Sequence, residues 1–195
     1  MVCSSIVLAN SPSCLNTSTF PCHIDPPSQG LGFPLPSSGV YSPLNDMKDM
    51  PKEARGRAFS KWLSNYYKHG DLSSRDFSQL EQREGDPSKK PTTDTIPLEE
   101  LLTIADSRPG VKCETFLVKS KHFLPVYTKQ TTKALFDPEI RGDWGEHPVW
   151  FVYCESSFWS VHYAAWNLEK NVKASEINFK LVSGANHFVR HFLFL

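Results

Sequence analysis

The side chain best placed to exchange a proton is His187, on the glycine-containing loop Ser183-Gly184-Ala185-Asn186-His187. Imidazole titrates near neutrality, and a loop that leaves a strand holds it firmly while letting the ring orient, so the chemistry expected is general acid–base catalysis. A second loop, Glu155-Ser156-Ser157, follows the apolar run PVWFVYC (148–154), at the other place where reactive groups would collect. No attacking group stands out beside them. The glycines stand at 30, 32, 39, 56, 70, 85, 110, 142, 145 and 184, and no two are four apart, so the G-x-S-x-G turn that presents a nucleophilic serine does not occur. Cys154 and Ser183 are nearest to His187 in sequence terms. A thiol near the end of an apolar strand nevertheless reads as inert core, and a serine before glycine as turn chemistry. His187 and His191 are four apart without a third ligand in view, so no metal and no cofactor is expected, and His162 reads as a packed or capping residue.

The elements that must carry these loops are legible in the last third of the chain. PVWFVYC (148–154) is a continuous apolar run of strand length, Val161, Ala164, Ala165 and Leu168 share one helical stripe over 160–170, and INFKLV (177–182) is again strand-like. Strand, helix and strand in so short a span make a βαβ unit with two parallel strands, hence an α/β fold, with both loops at the carboxyl ends of the strands. The middle third reads as helical. Pro51 suits a first helical position, and Phe59, Trp62, Leu63 and Tyr66 recur on one face before Gly70. A second helix is expected from Ser73 or Ser74, with Phe77 and Leu80 on its face, and a third from Pro97 through Leu101 and Ile104. The stretch 125–136 has helical length with a β-branched content that weakens helix formation. The charged stretch 137–147 reads as a solvated connector anchored by Trp144, and the aromatics Phe59, Trp62, Tyr66 and Tyr67 as core.

Composition bounds the rest. With 195 residues, 39% of them hydrophobic, the chain is one domain's worth of protein, and 21 Lys+Arg against 21 Asp+Glu leave no net charge to attract nucleic acid or an anionic membrane. No apolar run approaches the roughly 18 residues of a spanning helix, and no basic amino terminus suggests export. Five dispersed cysteines read as reduced thiols, and a cytoplasmic setting is expected. Every Lys and Arg lies after position 47, whereas residues 1–46 carry only Asp25 and Asp46 as charges and are rich in proline. Most of that segment is expected to be irregular, except for the β-branched run SSIVLA (4–9).

FKLVSGANHFV (179–189) resembles the last strand and catalytic-histidine loop of the α/β-hydrolase fold-1 family, with Gly184-Ala185-Asn186-His187-Phe188 matching its G-x-N/G-H-F pattern. PVWFVYCESSFW (148–159) is similar to the preceding strand. If Cys154 takes the family's glycine position, the usual acid site falls on Ser157, and Glu155, two residues before it, is the candidate acid that would orient His187 and stabilise its imidazolium. SSIVLAN followed by a proline resembles the earlier strand often read as IVLVDP, whose alternative acid site would fall on Asn10. The resemblance implies a partial α/β-hydrolase fold: a short strand in 1–10, an irregular segment over 11–50, a helical cap over 51–136, and strand, helix, strand and histidine loop over 137–195. It also implies hydrolysis of an ester or related acyl bond, with an apolar ester or acyl compound as substrate in the full fold. In the family the nucleophile and the first five strands precede the strand that SSIVLA resembles. The chain is therefore expected to be a shortened, catalytically incomplete relative. The alternative is an active serine-type hydrolase completed by another segment or by an unexpected nucleophile. An unpaired strand over 4–9 would expose its backbone and predicts self-association through that edge.

Overall fold

The computed structural model describes residues 6–8, 21–37, 39–104, 122–143, 148–171 and 177–188. In chain order they form strands β1 (Ile6–Leu8) and β2 (Pro21–Ile24), a 3-10 turn over Ser28–Leu31, helix α1 (Pro43–Asp46) and helix α2 (Lys52–Leu63). Two further 3-10 turns follow at Leu72–Ser74 and Phe77–Gln79, then helices α3 (Thr92–Thr95), α4 (Leu98–Ile104), α5 (Phe123–Phe136) and α6 (Pro138–Asp143). Strand β3 (Val149–Cys154), helix α7 (Trp159–Asn171) and strand β4 (Ile177–Val182) complete the described chain.

The architecture is α/β. The sheet has the order β1-β2-β3-β4. β3 and β4 run parallel from the pair Val149↔Ile177 to Cys154↔Val182, with α7 as the connection between them. On β3, Val149, Phe151 and Tyr153 are buried while Trp150 is 39% exposed, so one face of the strand is sealed. The seal is α7, whose Val161, Ala164, Ala165 and Leu168 are fully buried in the same cluster. Their i, i+3, i+4, i+7 spacing lays one stripe along the sheet, and the two alanines allow close approach.

Three departures from the sequence reading have physical causes. The run 4–9 contributes β1, but β1 pairs antiparallel with β2, and it is β2 that lies parallel to β3, through Cys22↔Trp150 and Ile24↔Val152. This strand falls inside the proline-rich segment expected to be irregular. Proline is compatible with it because Pro21 is the first strand residue and Pro26 follows its end, where no ladder donor is lost.

The helix expected from Ser73 is replaced by the two 3-10 turns. Asp71 Oδ1 accepts the Ser73 N–H at 2.9 Å and Asp76 Oδ1 accepts the Ser78 N–H at 2.9 Å, while Arg75 between them has a φ of 56°. Asp–x–Ser closes a local turn that competes with the helical ladder. α2 ends at Leu63, so Tyr66 and Tyr67 belong to the following extended segment, where Tyr67 bridges to Gly85. Trp62 and Tyr67 are core residues, with Trp62 packed 5.0 Å from Phe158 between ring centroids. The expected helices near 51 and 97 and the helix over 125–136 are present as α2, α4 and α5. Six residues of the charged connector form α6, and Trp144, Asn10 and His191 lie outside the described residues.

Candidate functional site

β2 and β4 both run parallel to β3, so their carboxyl ends open on the same side of the sheet, and each delivers one side chain there. β2 delivers Asp25. Its backbone N–H donates to the Val152 carbonyl at 2.7 Å, and the chain then turns sharply, with a φ of 52° at Asp25. Aspartate is among the few side chains that tolerate this left-handed backbone. Its carboxylate is 1% exposed and takes three donors. Oδ1 accepts the Cys154 N–H at 2.8 Å, and Oδ2 accepts the Ser157 hydroxyl and stands 2.6 Å from His187 Nδ1.

β4 delivers His187. Gly184, at a φ of 71°, turns the chain, and Asn186 anchors the loop from a fully buried position. Asn186 Nδ2 donates to the Ser64 carbonyl at 2.6 Å and to Thr92 Oγ1 at 2.8 Å, and its Oδ1 accepts the Phe188 N–H at 3.0 Å. The ring of Phe158 meets the His187 ring edge-on at 5.0 Å. With Nδ1 against a carboxylate, the ring proton sits there and the neutral ring presents Nε2 as an acceptor. A carboxylate in this position sets the tautomer and orientation of the ring.

Glu155 has a different task. Its N–H donates to the Val182 carbonyl at 3.0 Å and its Oε2 accepts the Gly184 N–H at 2.7 Å, so its carboxylate fastens the histidine loop by the backbone. The acid in contact with the imidazole is Asp25. Ser156 N–H adds a bond to the Ala185 carbonyl at 2.9 Å, so the two loops are stitched along their length. Cys154 is fully buried, and burial together with the neighbouring Asp25 carboxylate pushes its thiol up, away from the thiolate a nucleophile requires. Ser183 is exposed. Among the described residues no hydroxyl or thiol hydrogen-bonds to His187 Nε2.

His162 is packed, as its place in the sequence suggested. It is fully buried among His69, Tyr153 and Trp166, and neither ring nitrogen has a hydrogen-bond partner among the described residues. Burial, aided by the adjacent His69, pushes its ring down to about 3.

Asp25 is the functional side chain that sequence reasoning missed. A signal existed: Ile24-Asp25-Pro26 fits the end of the strand pattern IVLVDP better than Leu8-Ala9-Asn10 does. No protein-family model, no curated protein and no solved structure matches the chain.

Proposed function

We propose that the chain carries the acid–base half of a serine-hydrolase relay on an α/β-hydrolase-like sheet, acting on an ester or related acyl bond. Asp25 orients the imidazole and balances its charge, and His187 takes the proton from an attacking hydroxyl and returns it to the leaving group. The observation that carries this reading is the 2.6 Å contact from Asp25 Oδ2 to His187 Nδ1, made by a buried carboxylate beyond the carboxyl ends of parallel strands. The acid site shifts with the strand order: once β2 is the neighbour of β3, the family's alternative acid position after that strand falls on Asp25 rather than Asn10.

By this reading the chain alone is catalytically incomplete, because G-x-S-x-G does not occur and no described hydroxyl or thiol serves Nε2. The intact orientation of His187 favours a second reading, a hydrolase whose nucleophile is brought by another segment. A fluorophosphonate probe, which bonds covalently to an activated serine, separates the two from a self-sufficient enzyme. The purified protein is expected to show no labelling and no turnover of a short-chain chromogenic ester. Labelling of a serine of this chain that disappears in His187→Ala would show that the relay is complete and overturn the incomplete reading.

A further inference from the structure

His69 lies outside the acid–histidine pair yet is tied to it by a continuous set of hydrogen bonds. The Glu81 N–H donates to His69 Nδ1 at 3.0 Å, so that nitrogen is an acceptor and the ring proton resides on Nε2. His69 Nε2 points at the Ser157 carbonyl, 2.7 Å away. The ring is held flat against Tyr67, at 16° between planes, and burial lowers its basicity, which keeps it in this neutral tautomer. Ser157 is fully buried and committed on every side. Its N–H donates to the Cys154 carbonyl at 3.1 Å, its carbonyl accepts from His69, and its hydroxyl donates to Asp25 Oδ2, the oxygen that also faces His187.

We propose that His69 is a positioning residue for the Asp25–His187 pair, acting through Ser157: by fixing the Ser157 peptide it aims the hydroxyl that holds Asp25 Oδ2 against His187 Nδ1. The inference rests on the acid–histidine reading of the site but not on any hydrolysis. The segment bearing His69 is clamped for this purpose, since the neighbouring Tyr67 N–H donates to the Ser156 carbonyl at 3.0 Å. Two substitutions divide the functions of the ring. Asparagine imitates Nδ1, keeping an acceptor for Glu81 but falling short of Ser157, whereas glutamine imitates Nε2 and keeps the donor to Ser157.

The test is the Nδ1–H proton of His187, observed by NMR in the full-length protein and assigned by its loss in His187→Gln. Its exchange with solvent is expected to accelerate about tenfold in His69→Asn and in Ser157→Ala, the size of effect that follows from loss of one hydrogen bond in a local opening equilibrium. His69→Gln is expected to stay within about twofold of the parent, and the slow amides of α7 to be unchanged in all three. Exchange in His69→Asn equal to the parent would overturn the proposal. Should that variant not fold, a His69→Gln protein exchanging as fast as Ser157→Ala would overturn it instead. Lack of any such His187 resonance in the unmodified protein would overturn the site reading itself and this inference with it, a failure distinct from a parent signal that ignores residue 69.

Discussion

Asp25 and His187 are separated by 162 positions in the chain, yet their side chains meet at 2.6 Å because β2 and β4 flank the same strand in the same direction. The acid makes this contact from a left-handed backbone, and the two demands can be separated by substitution. Asp25→Ala strands three donors and strains the backbone, and is expected to cost about 3 kcal/mol or more of unfolding free energy. Asp25→Asn keeps one acceptor oxygen and tolerates the turn, and is expected to cost about 1–3 kcal/mol. Urea unfolding of both variants measures the difference, and equal losses would show that neither the retained acceptor nor the backbone at this position contributes.

His162 should make the protein sensitive to acid. The ring ordinarily titrates at 6.5 and burial pushes it down to about 3, so between those values the unfolded chain binds a proton that the folded chain refuses. Stability therefore falls as pH falls below 6.5, by up to about 1.4 kcal/mol per pH unit from this residue, and His69 acts in the same direction. His162→Phe removes two unpartnered ring nitrogens from an aromatic surrounding. It is expected to raise stability at neutral pH by about 1 kcal/mol or more and to flatten the slope from pH 6.5 to 4. Unfolding curves across that range that keep the parental slope would refute this.

The thiol of Cys154 should be inert. Iodoacetamide applied to the folded protein at pH 8, followed by peptide mapping, is expected to leave Cys154 unmodified, and the same treatment in urea to modify it. Rapid alkylation in the folded state would contradict the burial and raised ionisation of this group.

Two glycines with nearly the same backbone angle should respond differently to alanine. Gly32 and Gly39 have φ of 74° and 75°, but a methyl on Gly32 would collide with the backbone of Tyr127 and Thr128 in α5, whereas nothing lies within 4 Å of one on Gly39. Gly39→Ala is expected to cost about 1 kcal/mol from the backbone alone. Gly32→Ala must also push α5 away from the Ser28–Leu31 turn and should cost at least about 2 kcal/mol more. Comparable melting temperatures for the two variants would show that the α5 contact is dispensable.

The sequence exposed the parts of the molecule whose patterns are long. β3, α7 and β4 follow from an unbroken apolar run, a four-residue helical stripe and a second strand-like run, and the loop bearing His187 follows from the glycine after it. β2 has four residues, the first of them Pro21, too few for a period to emerge, and its parallel partner β3 lies over a hundred residues away, so the strand and the acid at its end were hidden together. The family resemblance made Glu155 the candidate acid, but the backbone of Gly184 takes its carboxylate. The helix expected near Ser73 failed for a local reason, since Asp71 and Asp76 each satisfy a backbone donor two residues on and leave Arg75 in a conformation no helix contains.

One carbonyl oxygen has a topological consequence. Ser64 O accepts both the Thr92 N–H at 3.0 Å and the Asn186 side chain at 2.6 Å, so the two ends of the segment from 65 to 91 and the histidine loop meet at a single atom. The segment is a loop closed at its base and laid against the core through Tyr67 and Leu80. A protease that nicks its exposed rim beside Lys89 would therefore create new termini without releasing either piece, and the same rim is where the chain could be opened and its ends rejoined elsewhere with the histidine still tethered.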